Sequence, residues 1–600
     1  MKGENFLAEL QRRQLYKVAL AYAVVGWLLI QVATQVFPFF EIPDWIVRLI
    51  VVVLVLGFPV ALALTWAFDR TAENHPQDGE TVSKQALTLR HTGRQLTALI
   101  ILAATIALGL MVFKFIRSQP GGAGKNASVA LAVDNKAIAV LPFENLSDEQ
   151  SNAYFVSGMR DEILTSLAQV RDLTIRSRTS TQKYQSHPED LQMVGRQLGV
   201  GALLEGSVQK ADDDILINVQ LIDAGSGIQL WAESYRRKVA NVFDVQGEVA
   251  QQVADALKIK LAPAQSERLR APSTTSVRAH DLYLRAHALG AHADEQSLTG
   301  KIALLQEAVA EDPHYAIAWG DLAGAYLTIA DAYRAPLEVL GPMRRAALKS
   351  VENDDGAGVG HIWLGAVSML YDRNFPLAKR ELERAVALDP NSSDAHRWLA
   401  WYRARVERNF DAGRMEIQRA RALDPGYTWP LMFECLIAIA RGEYQDALQL
   451  AERVMEIDPQ FFYDVDPIAT VYAAMGRWPD AIKRYESLPA GRMTRPNFQL
   501  AVCYAQTGQP DRAREILTAL EELAKHRYVD QSHFAAIYAA LGEKDKAFAA
   551  LDEACTDRSA RVSTPRFYQW LAPLFDDPRF AQLEYKVAHS AISSSAEVVP

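Results

Sequence analysis

The stretches YAAMGRWPDA (residues 472–481), YAQTGQPDRA (504–513) and YAALGEKDKA (538–547) decide the fold of this 600-residue chain. Each begins with tyrosine, has glycine at its fifth position and ends with alanine. The final small residue belongs to a longer series, with spacings of 35, 34, 34, 32 and 34 positions. The members of the series are Ala378, Gly413, Ala447, Ala481, Ala513 and Ala547. A period near 34 predicts an array of helical hairpins, because each hairpin needs a small residue where its two helices touch.

Two further series run in phase with the small residues. A glycine stands five positions before the last four of them, at Gly442, Gly476, Gly508 and Gly542. Glycine adopts a positive φ without steric cost, so it suits a turn at which a second helix folds back on the first. Asp-Pro pairs that begin at Asp312, Asp389, Asp424 and Asp458 close four units, because proline cannot continue a helix. The three series predict a tetratricopeptide-repeat solenoid over residues 279–590, including a C-terminal cap, followed by a frayed tail at 591–600.

Composition narrows the classes of protein that need consideration. The net charge of −9 is modest for this length and gives no sign of the clustered basic field that nucleic-acid-binding proteins carry. The three cysteines, Cys435, Cys503 and Cys555, are few and far apart in the sequence. They do not form the pattern of a disulfide framework, so we expect packed thiols between helices.

The amino-terminal region differs from the rest in composition. Residues 18–37, 49–66 and 96–113 are three apolar stretches, each close to the ~20 residues that a helix needs to cross a bilayer. A cleaved signal peptide is the alternative for the first stretch, but two more apolar stretches follow it. The sequence therefore predicts a membrane region at residues 1–117 with three transmembrane helices.

Flanking cations predict the orientation of these helices. Lys2, Arg12, Arg13 and Lys17 precede the first stretch, and the loop before the third carries Arg70, Lys84, Arg90 and Arg94. The positive-inside rule places both in the cytoplasm, although Lys114 and Arg117 oppose this orientation. We predict a multi-pass protein of the bacterial inner membrane, with a cytoplasmic amino terminus and periplasmic C-terminal domains.

Residues 118–135 are predicted to form a linker, and residues 136–262 a compact α/β domain. The GGAGK motif in the linker lacks the residues that a phosphate-binding loop has on both sides, and it follows no strand. In the domain, apolar runs and helical stripes alternate in the order β-α-β-α-β-β-β-α, with a three-strand antiparallel meander. A Pro- and Ser-containing hinge is predicted at residues 263–278.

The α/β region resembles a known family. IAVLPFENLSDE, YFVSGMRDEILTSLAQV, LGVGALLEGSVQK and INVQLIDAGSGIQLWAESYRR are similar to the TolB-like (FlgO-related) domain of bacterial envelope proteins. The resemblance implies an envelope location and tetratricopeptide repeats downstream. In that family the domain also follows nucleotide-cyclase or winged-helix domains, and we expect neither here, because 17 residues precede the first apolar stretch.

Candidate catalytic and metal-binding side chains give no convergent pattern. The carboxylates near predicted strand and helix ends are Glu144, Asp148, Glu149, Asp161, Glu162 and Glu205. Acid–base catalysis requires carboxylates in a shared pocket, and solvated charges or helix caps explain these residues equally well. The turn at 212–214 is rich in aspartate, as hairpin turns commonly are, and His280, His287 and His292 are spaced too widely for one metal ion. We predict no enzyme, no cofactor and no metal.

The predicted fold class is multidomain: three transmembrane helices, a small α/β (TolB-like) domain and an all-α tetratricopeptide-repeat solenoid. Solenoids of this kind bind other chains along an extended surface. The primary hypothesis is therefore a membrane-anchored scaffold that binds partner proteins through its repeats. The alternative is a signal-transducing sensor, whose α/β domain binds a ligand and relays it through the membrane helices.

Overall fold

The computed structural model describes residues 134–147, 152–170, 172–211, 214–238, 245–289, 294–330, 332–459, 461, 466–488 and 497–591. All of them belong to one compact unit that covers Asn126–Pro600. The three predicted membrane spans, the positively charged loops beside them, most of the predicted linker and the tail from residue 592 lie outside the described residues.

A mixed sheet opens the described chain. Its strands are β1 Asp134–Val140, β2 Glu144–Asn145, β3 Thr174–Arg176, β4 Val200–Ala211, β5 Asp214–Asp223 and β6 Gln229–Lys238. The order is β3-β1-β4-β5-β6, and β2 pairs with β4. β1 runs parallel to β3 and β4, while β4, β5 and β6 form the predicted antiparallel meander. The second predicted strand is short, because Ser177 caps a helical turn by accepting a hydrogen bond from Ser180 N.

Helices form the rest of the described chain. Those of the sheet region are α1 Ala153–Ala168, α2 Arg178–Thr181, α3 Leu191–Leu198, α4 Val245–Ala256 and α5 Pro263–Arg270, the last within the predicted hinge. Those that follow are α6 Val277–Ala288, α7 Glu295–Glu311, α8 Ala316–Ile329, α9 Pro336–Asn353, α10 Gly358–Leu370, α11 Phe375–Leu388, α12 Ser393–Arg405, α13 Phe410–Leu423, α14 Thr428–Arg441, α15 Tyr444–Ile457, α16 Pro467–Ala474, α17 Trp478–Glu486, α18 Phe498–Gln506, α19 Pro510–Ala524, α20 Gln531–Ala540, α21 Lys544–Thr556 and α22 Pro578–Ala588.

From α6 to α21 the helices pair into eight successive hairpins among the described residues, and each hairpin packs on the next. Polar side chains start many of these helices: Asn374 accepts from Leu377 N, and Asn409 accepts from Ala412 N. Three 3₁₀ turns, Arg561–Ser563, Pro565–Phe567 and Gln569–Leu574, lead from the eighth hairpin to the capping helix α22.

The turn inside each hairpin from the third onward has one residue in the left-handed region. Gly442, Gly476, Gly508 and Gly542 have φ between 70° and 78°. The two preceding turns have Arg373 at φ 56° and Arg408 at φ 55° instead. Left-handed backbone costs a non-glycine residue about 1 kcal/mol or more, so the two arginines need a compensating role or tolerate strain.

Arg373 has such a role, because it ties the third hairpin to the end of the array. Its guanidinium is buried and donates to Cys555 O (3.2 Å) and to Ser590 Oγ (2.9 Å). A second bond joins the same two parts of the array: Arg558, just after the eighth hairpin, donates to Tyr371 O (3.0 Å) in the turn of the third. The solenoid therefore closes on itself, with the third hairpin held against the eighth and the cap. Arg408, by contrast, is exposed.

The sheet and the solenoid share one hydrophobic core. One face of the sheet packs on α1 and α4, and the same apolar cluster continues through the hairpins as far as Phe433 and Ile437. The other face packs in part on α3. Polar contacts fix α2, the helical turn after the edge strand, to the end of the fourth hairpin: Ser180 Oγ donates to Asp424 Oδ1 (2.8 Å) and accepts from Gly426 N (3.0 Å).

The fold class predicted from the sequence needs correction. The described chain is mostly helical, a repeat solenoid with one small sheet, and none of its described helices is both long and apolar enough to cross a membrane. The longest described helix, α9, has 18 residues but carries Arg344, Arg345 and Lys349. Transmembrane helices at residues 18–37, 49–66 and 96–113 are therefore not part of the observed fold, and those residues lie outside its described range.

The two arginines in the left-handed hairpin turns, Arg373 and Arg408, provide a matched test of ring closure. Replacing Arg373 by glycine relieves its backbone strain but removes two charge-assisted hydrogen bonds, so we expect a net loss of about 2 kcal/mol in unfolding free energy. Arg408→Gly relieves similar strain without those losses, and we expect between no change and a gain of about 1 kcal/mol. Urea unfolding of both variants measures the difference; equal effects would contradict the closing role.

The close approach of Gly426 to Ser180 tests the contact between sheet and solenoid. A Cβ at Gly426 would lie 2.9 Å from Ser180 Cα, so the Ser180 backbone has to move. We expect Gly426→Ala to cost about 1–3 kcal/mol through overpacking. Gly358→Ala is the control, because its Cβ would meet neighbours no closer than 3.5 Å. Thermal unfolding of the two variants should separate them, and a fully stable Gly426→Ala would disprove the tight contact.

Candidate functional site

The inner side of the solenoid encloses a groove with a cavity of about 530 Å³. Each hairpin from the second to the eighth contributes its first helix to the wall, and the segment after the eighth hairpin completes it. We call this surface the inner groove. Pockets that bind drug-sized ligands commonly have volumes of about 300–1,000 Å³, and this cavity lies within that range.

Aromatic side chains form the centre of the groove wall. Trp363, Trp398 and Phe433 occupy matching positions on α10, α12 and α14, 35 residues apart. Their rings meet edge to face, with centroids 6.1 Å and 6.3 Å apart. Gly324 makes room for the first of them, since a Cβ there would lie 2.7 Å from the Trp363 ring. Aromatic pairs at these distances contribute rigid apolar area as well as packing energy.

Two arginines lie across the aromatic wall. The Arg397 guanidinium is 4.8 Å from the Trp398 ring centroid and donates to Asp394 Oδ1 (2.6 Å). Arg405 lies 5.1 Å from the Trp401 ring centroid. Tyr427 also donates to Asp394, at 3.2 Å, and burial raises the pKa of its phenol so that it stays a donor. The cations are thus held over aromatic faces, an arrangement that adds cation–π attraction to the hydrogen bonds.

Three polar atoms of the wall have no hydrogen-bond partner among the described residues: Trp363 Nε1, Trp398 Nε1 and Ser532 Oγ. Trp398 and Ser532 are each 5% exposed, and all three residues line the cavity. A buried donor without an acceptor costs about 1–3 kcal/mol, so native structures rarely leave one without a reason. A bound molecule can supply the missing acceptors once the side chains around these buried atoms shift.

The chain's own residues 564–570, TPRFYQW, cross the inner groove, and we call them the strap. Phe567 packs edge to face on Trp401 with centroids 5.0 Å apart, and Trp570 does the same on Phe498 at 6.0 Å. Arg405 donates to Thr564 Oγ1 (2.7 Å), the first strap residue. The strap therefore touches first helices of both the fourth and the seventh hairpin, and its residues Tyr568 and Trp570 line the cavity.

In each hairpin, the member of the small-residue series lies where the two helices of that hairpin meet. Ala378, Ala447, Ala481, Ala513 and Ala547 have no solvent exposure, and Gly413 is buried. The three cysteines are free and buried, and burial raises the pKa values of Cys435 and Cys503 to about 12. Thiols with such pKa values stay protonated and pack as small apolar groups.

The carboxylates considered from the sequence fall into separate contacts. Asp161 pairs with Arg178 (2.5 Å), and burial raises the pKa of its carboxyl. Glu162 contacts His280 Nε2 (2.6 Å), which joins the sheet region to the first hairpin. Asp148 and Glu149 lie outside the described residues.

Glu144 and Glu205 meet around one histidine. His187 Nε2 lies 3.5 Å from Glu144 Oε2, and His187 Nδ1 lies 3.1 Å from Glu205 Oε2. In the described part of the chain, no group of three His, Cys, Asp or Glu side chains is placed to hold a metal ion.

The other residues weighed from the sequence as cation or metal ligands are separated in space where the structure describes them. His280 contacts Glu162, whereas His287 Nε2 contacts Asp321, so the two histidines serve different carboxylates. Asp214 forms an ion pair with Lys238 (2.9 Å). Asp212, Asp213 and His292 lie outside the described residues.

A comparison with protein-family models decides the nature of the array. Residues 497–524 match the model of the tetratricopeptide repeat. The array is a tetratricopeptide-like solenoid, because the other described hairpins repeat the helix pair of the matched one. A second model, the second domain of HilA/YgeH-like transcriptional regulators, matches residues 134–252. The sequence resembles a TolB-like domain here, whereas the model that matches the sheet region is the HilA/YgeH-like one.

Among curated proteins, the chain is similar to a protein of Rhizobium meliloti (strain 1021) named as a candidate adenylate cyclase. The two are 39% identical over 150 residues, 25% of this chain and 26% of that protein. The chain thus matches about a quarter of that relative's length, and the cyclase name belongs to the relative.

Among solved structures, the chain is similar to TTC0263, a thermophilic tetratricopeptide protein of Thermus thermophilus, at 18% identity and a TM-score of 0.28, over 33% of this chain and 98% of that one. A tetratricopeptide repeat protein of Parabacteroides merdae ATCC 43184 is 11% identical with a TM-score of 0.29, over 52% of this chain and 99% of its own. At these TM-scores the two structures add no argument about function.

Proposed function

We propose that this chain is a non-catalytic scaffold that holds partner proteins in the inner groove of its tetratricopeptide solenoid. Solenoids present long continuous surfaces, and the fold is generally used for protein–protein interaction. The proposal places the partner against the first helices of the hairpins, between the aromatic wall and the strap.

The observation that carries the proposal is the set of unpartnered donors on an aromatic wall. Trp363, Trp398 and Ser532 line a cavity of about 530 Å³, and their Nε1, Nε1 and Oγ atoms are buried there without an acceptor among the described residues. An extended peptide supplies one carbonyl acceptor per residue, and its side chains can pack on the rings. Tryptophan and arginine are also the residue types that dominate the energy of protein interfaces.

The non-catalytic part of the proposal rests on the placement of the candidate carboxylates. Asp161 and Glu162 are engaged by Arg178 and His280, contacts that join structural elements. Those contacts lie in the sheet region, away from the residues that line the inner groove. We therefore assign these side chains a structural role.

A second hypothesis, a ligand sensor, is favoured by one observation in the sheet. Glu205 is 3% exposed and accepts a hydrogen bond from Gln220 Nε2 (2.8 Å), while its Oε1 has no partner among the described residues. The family model that matches this region is the second domain of transcriptional regulators, a class that transmits signals.

Thermal-shift screening of the full chain with small molecules tests the sensor. The full chain is needed because the sheet shares its core with the first hairpins. A specific shift that Glu205→Gln abolishes supports the sensor, whereas a shift that this variant leaves unchanged argues against Glu205.

The proposed location is the bacterial inner membrane, with the C-terminal domains in the periplasm. It remains a proposal, because it rests on residues 1–117, outside the described part of the chain. A reporter fusion after Leu261 in a Gram-negative host measures the location. Periplasmic reporter activity is the expected result, and a cytoplasmic signal would overturn the proposed orientation.

Trp398→Phe separates partner binding from stability. The change removes a buried donor that has no acceptor among the described residues, but it also removes part of a buried ring. The two effects oppose each other, so we expect unfolding free energy within about 1 kcal/mol of wild type. The same change removes a hydrogen bond to the partner, so we expect about tenfold weaker retention of partner proteins, equivalent to about 1.4 kcal/mol. Cross-linked affinity capture of the full chain with quantitative mass spectrometry measures retention.

Trp319→Phe is the matched control. Trp319 Nε1 donates to Pro313 O (2.9 Å), so we expect this variant to lose about 1 kcal/mol of stability while partner retention stays unchanged. Partner retention that falls equally in both variants, or in neither, would refute the assignment of the inner groove as the binding surface.

A further inference from the structure

The strap meets the inner groove in the manner of a bound peptide. Its contacts with the first helices are made by side chains: Phe567 on Trp401, Trp570 on Phe498, and Thr564 Oγ1 with Arg405. These helices belong to the fourth and the seventh hairpin, so one short segment contacts the groove wall at two places that are far apart along the array.

The backbone of the strap is tied only to nearby residues in the described structure. Its backbone hydrogen bonds are local, such as those from Phe567 N to Thr564 O (3.1 Å) and from Tyr568 N to Pro565 O (3.2 Å). No backbone–backbone hydrogen bond joins residues 564–570 to a groove helix among the described residues. A segment held in this way can leave without breaking helices or ladder bonds.

Anchors lie at both ends of the strap, whereas its middle is partly exposed. Val562 and Leu574 have no solvent exposure and belong to the apolar core that continues into the capping helix. Phe567, Tyr568 and Trp570 are half-buried, and Gln569 is exposed. Arg566, in the middle, also pairs with Glu584 of α22 (2.6 Å). Opening therefore requires that the middle lift away and this ion pair break, while the ends stay fixed.

We propose that the strap occupies the place of a partner segment, and that the groove takes segments which carry aromatic residues close to a proline, as the strap does. The partner displaces residues 564–570 and packs its own aromatic side chains on Trp401 and Phe498. This inference rests on the proposed function, since it identifies the inner groove as the surface where partners bind.

Tethering makes the strap a strong competitor. A segment held at both ends by short connections has an effective concentration in the millimolar range, so a partner in solution must overcome it. Removing the strap's aromatic contacts should therefore open the groove to a segment of the same chemistry supplied in solution.

The test uses the full chain and a fluorescent synthetic peptide of residues 561–574. We expect the double variant Phe567→Ser, Trp570→Ser to bind this peptide at least about tenfold more tightly than wild type, measured by fluorescence anisotropy. Tyr585→Ser is the control, because Tyr585 is 67% exposed on α22 and lies outside the groove; it should bind as wild type does. A folded double variant that binds no better than wild type would overturn the proposal.

Hydrogen exchange on the wild-type chain tests whether the peptide displaces the strap, and this test does not require the double variant to fold. Saturating peptide should speed exchange at the amides of Phe567 and Tyr568 and leave those of α20 unchanged. Strap amides that exchange at one rate with and without peptide would overturn the proposal.

The two proposals fail in different experiments. Peptide binding without any effect of Trp398→Phe on partner retention would refute the proposed function and leave the strap displaceable. Loss of partner retention in Trp398→Phe without peptide binding would refute only the displaceable strap.

Discussion

The close contact of two helices at one small residue is the constraint on which the solenoid depends. At Ala447, Ala481 and Ala513 the side chain has no exposure at all, so a larger residue would have to push the second helix away from the first. The length of the turn is set by the same contact, because the left-handed residue stands five positions earlier in each of these units. With this spacing fixed, successive first helices line up on the inner side, and Trp363, Trp398 and Phe433 come into a row.

The repeat part of the fold was predictable from the sequence because its determinants are local and periodic. Gly442 and Gly476 sit in the left-handed turns that the spacing predicts, and the antiparallel meander of the sheet follows from its turn residues. Arg373 and Arg408 occupy the same register as these glycines, 35 and 34 positions upstream of the next member. Glycine was the residue type expected there, and two arginines hid the continuation of the series.

The site was less predictable, because it depends on contacts between distant parts of the chain. Nothing local indicates that residues 564–570 cross the groove, since Phe567 meets Trp401 at a separation of 166 positions. The shared core of sheet and solenoid has the same cause: apolar stripes on α1 and α6 show that each helix is buried, but not against which partner. The sequence also led to a fold class with three membrane helices, from hydropathy in a region that the structure does not describe.

The contact between Arg373 and the end of the array changes how the solenoid can come apart. In an open array each repeat touches only its neighbours, so unfolding begins at a free end and spreads inward one repeat at a time. Here the eighth hairpin is bonded to the third, and from the third hairpin onward the chain of neighbours has no free end. Partly unfolded forms that lack only the last repeats must also break this bond, so the ring from the third hairpin to the cap unfolds as one cooperative unit.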